Sequence, residues 1–267
     1  MFDDRNSHDE FIDKAVNETY AEIDKITLLS RLETENIIIY ANNLIKDYEI
    51  GDFIVRAVDH VSLEIKEGSF VVIQGPSGAG KTTLLNLLSG LDTPNSGIIY
   101  NSKVEISNME EESLATFRLI NSGFIFQNYN LISTLSAEEN IMFPLHIAGI
   151  AFKKQRERAV ELLRKLGLQN RREHLPFQLS AGEQQRVAIA RALANDPPII
   201  FGDEITANLD VQTSEFIRDI FKQLKSDKKT IILATHNQNL KDLADVIITF
   251  NDAKIIDQKL KEKIKKD

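Results

Sequence analysis

The residues best suited to chemistry form one unbroken stretch, Gly75-Pro76-Ser77-Gly78-Ala79-Gly80-Lys81-Thr82, which fits the pattern G-x-x-x-x-G-K-[ST]. Glycines let a backbone wrap against a phosphate with no Cβ in the way. Consecutive N–H groups and the start of the following helix then face the anion. In such a loop Lys81 is expected at the β- and γ-phosphates and the Thr82 hydroxyl at Mg²⁺, with Thr83 the next residue in line. A ligand-free glycine-rich turn would share the composition but not the setting. Here the loop lies between FVVIQ, a run apolar enough for a strand buried on both faces, and the helical pattern TTLLNLLSGL.

A second group stands at the end of PIIFGDE, where Asp203 and Glu204 close an apolar strand. In nucleotide-binding α/β sheets, ligands gather at the carboxyl ends of strands. Asp203 suits Mg²⁺, which keeps several waters and prefers carboxylate oxygen. Glu204, one residue further, is placed to polarise an attacking water, an effect typically worth about 10²–10⁴-fold in rate. Alone, Asp-Glu reads as a strand-end turn; beside a phosphate loop it reads as catalytic machinery.

The elements that must carry these groups alternate. NIIIYANNLI and VSLEI alternate like half-buried strands, and FVVIQ, PIIFGDE and TIILATH are short apolar runs, the last three each near a helical pattern. That alternation predicts an α/β fold with a mostly parallel sheet and helices on both faces. Residues 128–185 read as mainly helical, and KKQRERAVELLRKLGL is an amphipathic helix ending at Gly167. Three segments follow from composition. Residues 1–35 hold ten acidic and four basic residues, net −6, with Phe11, Ile12, Ala15, Val16, Tyr20 and Ile23 at helical spacing. Residues 36–253 form the main domain. Residues 254–267 are a lysine-rich tail with six lysines and three acids, net +3.

The whole chain has 267 residues and a net charge of −8, which argues against a sequence-independent grip on nucleic-acid phosphate. It has no cysteine, which removes disulfides, thiolate metal sites and cysteine nucleophiles. Its longest apolar runs are a few residues, against about 20 for a membrane helix. The start, MFDDRNSHDE, has no basic segment followed by an apolar one, so a soluble cytoplasmic protein is expected.

Over residues 37–256 the chain resembles the ATP-binding subunits of ABC transporters. The motifs occur in that family's order: the phosphate loop, Gln127 in GFIFQNYNL, the signature-like LSAGEQQRVAIARAL, the strand ending in Asp203-Glu204, Ala207-Asn208-Leu209-Asp210, and His236 in ATHN. The phrases GPSGAGKTTLLNLLSGLDTP and QLSAGEQQRVAIARALANDPP look most like the lipoprotein-releasing and macrolide-efflux group. The resemblance implies a P-loop NTPase (RecA-like) core with a mixed sheet, an antiparallel β subdomain and an inserted α-helical subdomain. It implies ATP and Mg²⁺ as ligands. Two such subunits, alike or different, would dimerise head to tail, with each ATP between one phosphate loop and the other's signature motif.

By that resemblance Tyr48 lies under adenine, Gln127 ligates Mg²⁺ and senses the γ-phosphate, and His236 contacts the γ-phosphate. Ser180 and Gly182 reach the γ-phosphate of the partner's ATP, and Asp210 bridges the dimer. Ser180 also reads as a helix N-cap, as does Asp210. Three departures stand out: Ala181 where the family usually has glycine, Glu183 where glutamine is commoner, and Ile205 where proline is usual. Ala181 is expected to hinder approach to phosphate if its φ must be positive, and Glu183 to weaken closure unless it points away. The implied activity is ATP hydrolysis that drives a separate membrane permease, docked near residues 127–136. The subunit would sit on the cytoplasmic face of the membrane, and its cargo would be lipoprotein, peptide or drug. The competing expectation is an ATP-gated scaffolding protein of the cell-division type. DNA-repair and translation relatives carry coiled-coil insertions or two ATPase modules, which this chain lacks.

Overall fold

A computed structural model gives the structure of the chain and describes residues 22–207 and 209–260. Its strands are β1 (Ile37–Ile50), β2 (Phe53–Lys66), β3 (Phe70–Gln74), β4 (Ser96–Asn101), β5 (Val104–Glu105), β6 (Ser122–Ile125), β7 (Ile199–Asp203), β8 (Thr230–Ala234), β9 (Val246–Asn251) and β10 (Lys254–Leu260). Its helices are α1 (residues 22–34), α2 (Lys81–Ser89), α3 (Glu111–Asn121), α4 (Ala137–Ile147), α5 (Phe152–Lys165), α6 (Ala181–Ala192), α7 (Val211–Ser226) and the short α8 (Gln238–Lys241).

The central sheet has the order β10-β9-β3-β8-β7-β6. Its neighbours run parallel except β10 against β9. Strands β7 and β8 are buried at every residue, as apolar runs without alternation should be. Successive side chains enter two different cores. Phe70, Val72, Ile200 and Leu233 pack with the helical side, which includes α4 to α7. Val71, Ile73, Phe201 and Ile232 pack with α2, α3 and the second sheet. That second sheet, β2-β1-β4-β5, is antiparallel throughout. The mixed sheet, the antiparallel sheet and the helical insertion therefore all match the expected fold.

Boundaries differ from expectation in two places, and the acidic arm is described only in part. Helix does not begin at residue 128. Tyr129 and Asn130 adopt φ of 62° and 48°, which no right-handed helix accommodates, and α4 starts only after Ser136. A capping box fixes that start, with Ser136 and Glu139 exchanging side-chain and backbone bonds. At the other end α6 continues to Ala192, because Val187, Ala188, Ile189 and Ala190 lie buried in the core.

The second difference is at the C-terminus, where Lys254–Leu260 is not a tail but an edge strand paired with β9. Ile255 packs against the core while lysines face out, the pattern of a protected edge. The last seven residues lie outside the described part.

The acidic arm is described only from residue 22 onward. Of its expected apolar stripe only Ile23 is described, and it is exposed. Phe11, Ile12, Ala15, Val16 and Tyr20 lie outside the described residues. What is described of the arm, α1, packs Leu28, Leu29 and the buried Leu32 onto Ile37, Tyr40 and Tyr100. Arg31 adds an ion pair to Glu64, its Nη2 donating to both carboxylate oxygens at 2.7 and 2.9 Å.

Candidate functional site

The glycine-rich loop joins β3 to α2 and is wedged against the end of β9. A Cβ at Gly75 would lie 1.8 Å from the Phe250 carbonyl oxygen, and one at Gly80 would lie 2.1 Å from the carbonyl oxygen of Ala57. No side chain fits either gap, so glycine at both positions is a packing requirement. Lys81, buried at the start of α2, donates to the carbonyl oxygens of Gly75 at 2.7 Å and Pro76 at 2.8 Å. An ammonium carries three donors. These two bonds aim it along the concave side of the loop.

The next residue reaches the central strand. Thr82 donates its hydroxyl to Asp203 Oδ2 at 2.6 Å, and Asp203 is buried at the end of β7. Glu204 then turns away from the strand with φ of 45°, a costly conformation for a residue with a Cβ. Its amide donates to the Ala234 carbonyl at 2.8 Å, which locks the turn against β8. The Glu204 carboxylate meets the loop after β8: Oε1 lies 3.5 Å from His236 Nε2, and Oε2 accepts the His236 amide at 3.4 Å.

Tyr48 stands on β1 at the same cleft. It donates its hydroxyl to Asp92 at 2.8 Å, and Lys46, itself 2.6 Å from Asp92, sits 5.1 Å from the ring centroid. Burial pushes the Tyr48 phenol up. Burial would also raise the Asp92 carboxyl, but hydrogen bonds from Lys46 and Tyr48 outweigh it and hold the group below its usual range.

These groups line one open cleft of about 750 Å³ at the carboxyl end of the sheet. Tyr48, Ser77, Gly78, Gly80, Lys81, Thr82, Thr83, Gln127, Asp203, Glu204 and His236 all border it. Gly75, Pro76 and Ala79 do not border it. Ala57, Thr206, Ala207 and Asn237 also line the cleft. Ala207 and Asn237 lie inside the ANLD and ATHN motifs but carry no expected role, and Thr206 is a chain neighbour of Glu204. Ala57 enters through strand packing, with no signal in the sequence.

Ser180, Gly182 and Asp210 do not border this cleft. Ser180 caps α6: its Oγ accepts the Glu183 amide at 3.3 Å, and Glu183 Oε2 accepts the Ser180 amide at 2.9 Å. Asp210 caps α7 through the Thr213 amide at 2.9 Å and hydroxyl at 2.6 Å. Those bonds, the hydroxyl's first, hold its carboxyl low. Thr213 also abuts Gly182, where a Cβ would lie 2.8 Å from its methyl group, so the two helix starts are in contact.

The three departures have local explanations. Ala181 is the first residue of α6 and has no positive φ, so its methyl group costs no backbone strain. Ile205 is buried beside Gly202 in the helical-side core. Glu183 folds back into the cap and pairs with Arg171 at 2.7 Å.

The donor set at the foot of the cleft is one hydroxyl and one carboxylate, both oxygen. Among the described residues no group of three or more His, Asp or Glu gathers for a metal. This fits Mg²⁺, which takes few protein oxygens and fills its octahedron with waters and phosphates. It does not fit zinc, which is held by several nitrogen or sulfur ligands.

Comparison with known proteins agrees with this geometry. Residues 58–207 match the ABC transporter family. An uncharacterised ABC transporter ATP-binding protein of Thermotoga maritima is 46% identical over 210 residues, covering 79% of this chain and 90% of the relative. The macrolide export ATP-binding/permease protein MacB of Hyphomonas neptunium is 46% identical over 209 residues, 78% of this chain but 32% of MacB. A solved dimer of the ATP-binding cassette MJ0796, bound to ADP and Pi, superposes with a TM-score of 0.80 at 40% identity, covering 83% of this chain and 98% of that one. The chain belongs to the ABC transporter family, as an ATP-binding component of the ATPase class. Among the described residues no helix is long and apolar enough to cross a membrane.

Proposed function

We propose that the chain hydrolyses ATP in the cleft and that two copies, or one copy and a similar subunit, close around the nucleotide to drive a separate membrane permease. The observation that carries this is the convergence of Lys81, the Thr82–Asp203 pair and the Glu204–His236 pair on one cleft from the ends of three strands, β3, β7 and β8. The backbone N–H groups of the loop and Lys81 hold the β- and γ-phosphates, and Tyr48 lies against adenine. Thr82, Asp203 and Gln127 hold Mg²⁺. That ion, when bound, neutralises phosphate charge. Glu204 accepts a hydrogen bond from the water that attacks the γ-phosphorus and takes up its proton as the O–P bond forms, and His236 steadies the same water and the γ-phosphate oxygens. As the new O–P bond forms, the bond to the β-phosphate bridging oxygen breaks and ADP leaves. Ser180 and Gly182 contact the γ-phosphate held by the partner subunit, and Asp210 lies at the same junction.

The permease binds on the other side of Gln127. A groove of about 530 Å³ runs between the core and the helices, with Leu91, Phe126, Ile132, Phe143 and Ile147 on its walls. An apolar helix end of the permease is the occupant proposed for it, and the subunit is held at the cytoplasmic face of the membrane by that contact. Similarity to a macrolide exporter supports export or extraction of drug, peptide or lipoprotein as the task, with cargo chosen by the permease. The test is MgATP turnover by the purified chain. Wild type is expected to hydrolyse ATP, and Glu204→Gln to lose turnover by about 10²-fold or more while still binding ATP. Unchanged turnover in the variant removes Glu204 from its role.

A further inference from the structure

Glu183 places a carboxylate at the tip of α6, the end that the proposed function turns toward a phosphate of a second copy. An isolated negative charge there would oppose that anion, yet the tip is otherwise built to receive one. The amides of Ala181 and Gly182, at the first two helical positions, have no intrahelical acceptor. The Ser180 Oγ accepts the Glu183 amide, so its own proton remains free to donate. Asp210 nearby has one oxygen bonded to the Thr213 amide and the other to the Thr213 hydroxyl.

Both oxygens of Glu183 are likewise engaged. Oε2 accepts the Ser180 amide at 2.9 Å, and Oε1 accepts Arg171 Nε at 2.7 Å. Arg171 comes from the short 3₁₀ turn Gln169–Arg171, outside α6, and is about half exposed, whereas the Glu183 side chain is largely covered. Burial alone would raise the Glu183 carboxyl; the bonds from Arg171 and Ser180 hold it below its usual range, so it stays charged and paired.

We infer that Arg171 is a positioning residue for closure of the dimer: its guanidinium neutralises Glu183 and pins it in the cap, which leaves the Ser180 hydroxyl and the tip amides facing outward for the anion. The inference rests on the dimer reading above. A glutamine at position 183 would keep the capping box without the charge, so the defect caused by losing Arg171 must disappear when Glu183 is neutralised.

The experiment titrates MgATP against Glu204→Gln protein and reads dimer formation by light scattering, with thermal melting of each variant in parallel. Relative to E204Q, the R171A/E204Q protein is expected to need about three- to tenfold more MgATP for half-dimerisation. R171A/E183Q/E204Q is expected to return to within about twofold of the parent, and raising NaCl to about 0.5 M to shrink the R171A defect. Dimerisation of R171A/E204Q at unchanged MgATP overturns the inference. So does a defect that E183Q fails to relieve, since loss of local structure alone would behave that way. If the parent E204Q protein stays monomeric at saturating MgATP, the dimer reading itself fails and takes this inference with it.

Discussion

Lys81 shows how a single residue is set up before any ligand arrives. Its ammonium rests on the Gly75 and Pro76 carbonyls, so in the proposed role a bound triphosphate would exchange two neutral acceptors for charged ones. Lys81→Ala is expected to weaken ATP binding at least about 100-fold, by loss of a charge-assisted contact; calorimetry with unchanged affinity would reject the role. Gly75→Ala tests the loop differently. With 1.8 Å to the Phe250 carbonyl, the methyl group must displace backbone, and both melting temperature and ATP affinity are expected to fall. A variant that melts and binds like wild type would show the contact to be adjustable.

The loop's residue types were readable because its function demands local, contiguous chemistry. Tyr48's partners were not. Lys46 and Asp92 lie 46 positions apart in sequence and meet only through the folded sheet edge. Glu183 stands out in the sequence but its partner does not: the expected charge penalty is answered by Arg171, twelve positions upstream, which only the fold brings beside it.

At the scale of elements, apolar periodicity served well where a strand is buried on both faces, as in β3, β7 and β8. It misjudged Lys254–Leu260, whose lysines suggested a solvated tail. An edge strand needs only one covered face, and charge on the other is what keeps it from pairing with other chains.

The hairpin of β9 and β10 also braces the phosphate loop, since the Ala253 amide donates to the Ala79 carbonyl and Ala253 accepts from Asp59. Hydrogen bonds from Lys254, then His60, draw the Asp59 carboxyl from its ordinary 3.8 down to about 2. A depressed carboxyl stabilises the fold above its unfolded value and loses that contribution as pH falls through the folded one. Lys254→Ala is therefore expected to move acid unfolding to higher pH, within the window between about 4 and 2. An unchanged acid midpoint by circular dichroism would show the pair contributes nothing. For α1, Leu32→Ala removes a fully buried side chain and is expected to cost about 2–4 kcal/mol against denaturant. A loss under about 0.5 kcal/mol would mean that α1 is not packed on the sheet.

The whole molecule places two chemical surfaces apart. The cleft holds the phosphate loop, Asp203, Glu204 and His236, while the capped tips of α6 and α7 lie outside it, in close contact where Thr213 meets Gly182. In the proposed reading a single copy has a half-walled site and a helix tip with no anion of its own to bind. Head-to-tail association of two copies, as proposed above, would satisfy both at once. The most direct measurement is sedimentation of Glu204→Gln protein with and without MgATP. The account requires a particle near the 30.2 kDa chain mass without nucleotide and twice that mass with it, reversed when Lys81→Ala is added. A particle that remains at the single-chain mass at saturating MgATP, with ATP binding intact by calorimetry, would contradict it.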